Sequence, residues 1–141
     1  MTPFDMPPTR RVLIVDHDRT TLEMAQIRLE VAGYDAVAVR DAVAALAILE
    51  AGDVHAVVLE RHLPAMASLQ ILEALGEAPV PVLLTGRGLT DEDAEAAGAY
   101  GVCGGLAKPY SGAALLERID RILAAGATVA VAEPEDAWLE V

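Results

Sequence analysis

Short apolar runs alternate along this chain with longer stretches of mixed polarity. VLIV at residues 12–15, AVVL at 56–59, VLL at 82–84 and GLA at 105–107 are too short for helices. Runs that short and that apolar read as strands buried on both faces. Adding AVAV at 36–39, the pattern predicts strands over residues 11–15, 36–39, 54–59, 80–84 and 102–107. Helical spacing fills the gaps at 19–32, 42–51, 66–75, 91–97 and 111–124. Strands alternating with helices imply βαβ units, a parallel sheet and right-handed crossovers.

The punctuation agrees with that division. Asp18, Asp41 and Ser111 are placed to cap the first, second and last helices, and Thr90 with Asp93 forms a capping box for the fourth. Gly33, Gly52, Gly98 and Gly126 stand where the first, second, fourth and last helices should stop. The first helix carries two apolar stripes. Leu22, Ala25, Leu29 and Ala32 share one side, with Met24, Ile27 and Val31 nearly opposite. One stripe faces the sheet. The other either packs on the last helix or stands as a docking patch. In the last helix, Leu115, Leu116, Ile119, Ile122 and Leu123 repeat at core spacing.

Composition narrows the class. The 141 residues are 54% hydrophobic, enough for one ordinary domain with a real core. The compact unit is expected over residues 10–125, with a Pro-rich arm at 1–9 and an acidic tail or linker at 126–141. Charges interrupt every apolar stretch before it reaches spanning length, so no membrane segment is expected. The first residues carry Pro3, Pro7 and Pro8 and no apolar core of a signal peptide. A net charge of −12 argues against a nucleic-acid surface. Cys103 is alone, which fits a small core residue and a reducing cytoplasm.

The candidate chemistry sits at the strand ends. Asp16, Glu60, Thr85 and Lys108 each follow an apolar run. Ligands in open parallel sheets bind outside the carboxyl ends of the strands, so these four should converge. His17 and His62 adjoin them. Imidazole and carboxylate together suit Zn²⁺ or Ni²⁺, which makes Asp16, His17, Glu60 and His62 a candidate metal pocket of unknown ion. His55 reads as surface. No G-x-G-x-x-G is present to bind a dinucleotide.

Asp16-His17-Asp18, Glu60 with Pro64, Thr85-Gly86 and Lys108-Pro109, in this order and spacing, resemble the response-regulator receiver (CheY-like) family over about residues 10–125. The resemblance implies a flavodoxin-like (βα)5 α/β fold, a doubly wound five-stranded parallel sheet of order 2-1-3-4-5. It implies two-component or phosphorelay signalling, with a histidine kinase, phosphotransfer protein or other signalling protein as partner, and no catalysis of its own. In such receivers an Asp ending the third strand accepts a phosphoryl group, and paired acids after the first strand help hold Mg²⁺. A Thr or Ser and a Lys then contact the phosphate. Asp16, Thr85 and Lys108 match. Glu60 stands at the phosphoacceptor position and His17 at that of the second acid.

Both departures weaken the ordinary chemistry. Glu carries its carboxylate roughly 1.5 Å farther out, about one C–C bond. A misplacement near 1 Å can cost on the order of a hundredfold in rate. Mg²⁺ wants hard oxygen donors in octahedral geometry. The cofactor expectation is therefore none, or a weakly bound divalent metal. Glu60 either reaches Lys108 or Thr85 and imitates the phosphorylated form, or is a relic. Gly105 occupies the position where related receivers often place an aromatic switch, and Ala67-Ser68 replaces an acidic residue and a Gly. The expected function is an atypical, phosphorylation-independent receiver acting by protein contact. Its docking patch would be Met24, Ile27 and Val31, and a homodimer over the fourth helix and the edge of the last is possible in this family. Two alternatives stand beside it. One is a metal-binding pseudo-receiver adaptor. The other is a small phosphatase of haloacid-dehalogenase type, since Asp16-His17-Asp18-Arg19-Thr20 fits D-x-D-x-T with Asp16 as nucleophile and Asp18 as acid/base.

Overall fold

The computed structural model describes residues 9–63, 67–75 and 80–132. Five strands, β1 (Arg11–Val15), β2 (Asp35–Val39), β3 (Ala56–Glu60), β4 (Val82–Arg87) and β5 (Val102–Lys108), form one parallel sheet. Its order is β2-β1-β3-β4-β5, the order the resemblance implied. Five helices alternate with them: α1 (Arg19–Val31), α2 (Ala42–Ala51), α3 (Ala67–Leu75), α4 (Asp91–Ala96) and α5 (Gly112–Ala132).

Alternate residues of each central strand enter opposite cores, as pleating requires. Leu13, Val15, Val57, Leu59, Val82 and Leu84 pack with α2, α3 and α4 on one face. Val12, Ile14, Ala56, Val58 and Leu83 pack with Leu22, Ala25 and Leu29 of α1 and Leu115, Ile119, Ile122 and Leu123 of α5 on the other. This settles the two stripes of α1. The Leu22 stripe meets both the sheet and α5, while Ile27 and Val31 stay 61% and 79% exposed and Met24 is half-buried. Ala32 does not join the buried stripe. It is the C-cap residue and exposed, because the helix has already ended there.

The caps form as the sequence predicted. Asp18 and Asp41 accept from the backbone N–H of Thr21 and Ala44, and Ser111 accepts from that of Ala114. Thr90 and Asp93 bond reciprocally at the start of α4.

Several boundaries differ. β4 begins at Val82 and runs to Arg87, so Thr85 lies inside a strand and not beyond one; it pairs with Glu60 of β3. α4 ends at Ala96 with Ala97 as its cap, close to the expected end, and a separate 3₁₀ turn over Ala97–Tyr100 follows, stopped by left-handed Gly101. The long segment before Lys108 is absorbed there and at Cys103, which the register skips between Val82↔Val102 and Leu83↔Gly104. The last helix continues through Gly126 to Ala132, since a glycine inside a helix costs only about 1 kcal/mol and apolar residues follow. β2 and β5 are edge strands and only partly buried, unlike the central three. Among the described residues no helix is long and apolar enough to cross a membrane. Most of the Pro-rich arm, Pro64 and the acidic residues from Glu133 onward lie outside the described residues.

Candidate functional site

Three strands and one loop deliver the site. Asp16 follows β1 directly, and its amide donates to the carbonyl of Val39 at 3.2 Å, continuing the sheet pattern. Glu60 and Lys108 are the last residues of β3 and β5. Asp16 is 2% exposed and Glu60 4%, so both carboxylates pay desolvation and need partners.

The partner is Lys108. Its Nζ donates to Glu60 Oε1 at 2.8 Å and lies 2.7 Å from Asp16 Oδ2. The Asp16 contact is a close charge pair without the angle of a directed hydrogen bond. Asp16 Oδ1 instead accepts from the Asp18 amide at 2.9 Å. Glu60 Oε2 accepts from the His17 amide at 3.1 Å and touches Nδ1 of the half-exposed His17 ring. Arg40 fixes that loop from outside, with Nε and Nη2 donating to the His17 carbonyl at 3.2 and 2.9 Å.

The protonation states follow. Burial raises the Glu60 pKa, but the bonds from Lys108 and His17 outweigh it, and the group ends below the ordinary range. Burial pushes Asp16 up, only partly offset by Lys108 and the Asp18 amide. For Lys108, burial opposes the charge, and the two carboxylates more than restore it, raising the pKa.

The residues picked from sequence divide into three groups. Asp16, His17, Glu60 and Lys108 meet. Thr85 is beside Glu60 in register but 1% exposed, and the cleft above the site is lined without it. So the Glu60 carboxylate reaches Lys108 and not Thr85. His62 stands apart: it lines the cleft at an exposed position, but its Nε2 faces Arg61 Nε at 3.0 Å. Among the described residues the group with metal-binding donors within 4.8 Å is Asp16, His17 and Glu60. His62 therefore leaves the proposed four-residue pocket. His55 is capped by the Arg11 amide at 2.9 Å, in keeping with a surface role.

Sequence reading missed two contributors. Ser68, seen only as a departure in a turn, is buried, and its hydroxyl donates to the Glu60 carbonyl and accepts from the Leu63 amide at 3.3 Å. It closes the loop that carries Glu60; a serine near a helix start was the available signal. Arg61 spans β4, its Nη1 bound to Asp93 of α4 and its Nη2 to the Arg87 carbonyl, both at 2.8 Å. Gly86 makes this passage possible, since a Cβ there would sit 3.3 Å from Arg61 Cβ.

Gly105 explains what stands in place of an aromatic switch. A Cβ at Gly105 would lie 2.9 Å from Leu89 Cδ2 and 3.2 Å from Ala94 Cβ. Leu89 and α4 occupy the space directly over the strand. Tyr110 lines the cleft, and its hydroxyl is buried without a partner, which leaves burial to raise its pKa.

Mg²⁺ does not fit this donor set. One lysine ammonium already lies between the two carboxylates and offsets part of their charge, and the third donor is an imidazole, which suits softer ions.

Comparison with known proteins bears on the family and the fold. A family model described as "Response regulator receiver domain" matches residues 12–120. No curated protein matches. Chemotaxis response regulator CheY4 of Vibrio cholerae superposes with a TM-score of 0.74 at 24% identity, covering 81% of this chain and 98% of that one. A CheY-like receiver domain protein of Methanospirillum hungatei gives 0.73 at 24%, covering 81% and 93%. The receiver domain of Francisella response regulator 1452 gives 0.72 at 21%, covering 80% and 95%. These structures share the fold.

Proposed function

The chain belongs to the response regulator receiver domain family of two-component signalling, and from that membership we propose that it is an atypical receiver that signals by protein contact without a phosphorylation cycle. The observation that carries this reading is Glu60. Its carboxylate fills the acceptor position and holds Lys108 at 2.8 Å, the lysine that a phosphoryl group would otherwise engage. The pair fixes one electrostatic state of the pocket. That favours a locked, active-like form over a relic, because the carboxylate is buried and triply bonded and not a loose strand-end charge.

A histidine kinase, phosphotransfer domain or other signalling protein is the partner class. Ile27 and Val31 support α1 as its contact, since they are the exposed large apolar residues of that helix. The signalling unit is residues 10–125, the place of action the cytoplasm, and no reaction is catalysed. A phosphatase reading finds little support, since the Asp18 carboxylate is spent on the Thr21 amide and hydroxyl. A metal-binding adaptor is the second reading, favoured by the clustered donors of Asp16, His17 and Glu60. Stabilisation by Zn²⁺ and not by Mg²⁺ would speak for it.

The deciding experiment is incubation with acetyl phosphate and Mg²⁺, read by intact mass. No gain is expected. A gain of one phosphoryl group overturns the proposal.

A further inference from the structure

The cleft above the buried acids has its own chemistry. It holds about 820 Å³, within the range of small-molecule sites. The chain has 22 acidic and 10 basic residues, yet Arg19, Arg40, Arg87 and Lys108 all line this one cleft. Outside the cleft four arginines are paired, Arg11 with Asp35, Arg61 with Asp93, and Arg118 and Arg121 with Glu117, while Arg10 donates to the Leu123 carbonyl. Arg19, Arg40 and Arg87 make no carboxylate contact among the described residues. In so acidic a chain, three such arginines at one opening are unexpected.

The acids of the cleft do not answer them. Glu60 is bound to Lys108 and His17, and Asp18 to Thr21. Arg40 is held in place by the His17 carbonyl. A second and independent sign is Tyr110. Its hydroxyl is buried with no partner in the same cleft, and a buried unsatisfied hydroxyl costs about 1–3 kcal/mol. An incoming oxygen acceptor would remove that cost.

We infer that this cleft binds a small polyanion of the di- or triphosphate class, held at its rim by Arg19, Arg40 and Arg87 and met inside by Tyr110. Arginine forks suit phosphate oxygens, to which they donate in pairs. Arg40 follows β2 and Arg87 ends β4, three strand positions apart, or roughly 14 Å between backbones at the usual strand spacing. Guanidinium groups arriving from separate sides of the opening suit a ligand with more than one anionic group. The binding is non-covalent and uses the rim, so it holds whether or not Glu60 accepts a phosphoryl group. It differs in this from the receiver cycle, and Lys108, committed to the acids below, is not asked to contribute.

Calorimetric titration of the full chain with inorganic tripolyphosphate, with EDTA present and no divalent cation, tests the inference. Saturable 1:1 binding is expected, weakened at least tenfold in the Arg19→Ala/Arg87→Ala double variant. Arg121→Ala removes one positive charge from α5 and should leave the affinity unchanged. Tyr110→Phe should weaken binding severalfold while its thermal midpoint holds or rises, since it deletes an unsatisfied group. Three outcomes overturn the inference: no binding to the wild-type chain, equal affinity in the Arg19/Arg87 variant, or an equal loss in Arg121→Ala, which would mean diffuse charge attraction. Circular dichroism of each variant confirms folding, which these exposed arginines do not support.

Discussion

Lys108 is the residue on which the site's electrostatics turn. It is the cation in contact with two buried carboxylates. Lys108→Met keeps the length of the chain but strands Asp16 and Glu60 together. Breaking a buried pair by removing one member costs about 3–5 kcal/mol. Urea unfolding at pH 7 should show that loss. The pH dependence has a definite sign. In the wild type Glu60 is depressed, so its contribution is present above its ordinary 4.5 and is lost as pH falls through the folded value. Lys108 is raised, so its contribution is complete below 10.5 and is lost as pH climbs past the folded value. Asp16 is raised and opposes Glu60, favouring the fold below 3.8 and losing that effect as pH rises. In Lys108→Met both acids lose their counter-charge, so stability should recover on acidification toward pH 5. A variant as stable as wild type at pH 7 would mean that the pair is not coupled. The identity of the four polar positions was plain in the sequence. What joins them was not: the choice of Lys108 over Thr85 depends on which side chain the strand register leaves open to the cleft.

At the scale of elements, α4 and β5 meet more closely than a sequence can say. Gly105 reads as a missing aromatic, but only the packed structure shows Leu89 and Ala94 pressed into the space. Gly105→Ala should therefore destabilise the fold by about 1–3 kcal/mol through overpacking, measured as a fall in the denaturation midpoint. A neutral effect would show that Leu89 yields easily and that room for a switch exists. The helix ends were partly legible for the same reason that they were partly missed. Asp18, Asp41 and Thr90 act through neighbours three residues away, so local sequence suffices. Gly126 was misread as a stop, because a glycine ends a helix only when the chain beyond it has somewhere else to go. Arg61 belongs at this scale too. Its clasp on Asp93 ties the end of β3 to the start of α4, a contact across 32 residues with no local mark.

For the whole molecule, a charge of −12 on 141 residues should make the fold sensitive to salt. Self-repulsion is screened within a Debye length of about 10 Å at 0.1 M ionic strength. Raising NaCl from 10 to 300 mM should lift the thermal midpoint, by roughly 2–4 °C for each kcal/mol of repulsion removed. A falling midpoint would show that the internal pairs, Lys108 with its acids above all, outweigh the surface. The alternation of apolar runs with capped helical stretches determined by itself the strand count, the parallel sheet and the position of Asp16, Glu60 and Lys108 at its carboxyl edge, because burial on two faces and capping are written in neighbouring residues. The tertiary structure alone decided which of those groups touch, that His62 stands outside the cluster, that Ile27 and Val31 face solvent, and that Arg19, Arg40 and Arg87 open onto one cleft. Those are distances between residues remote in the chain, and they are set by sheet order, register and packing.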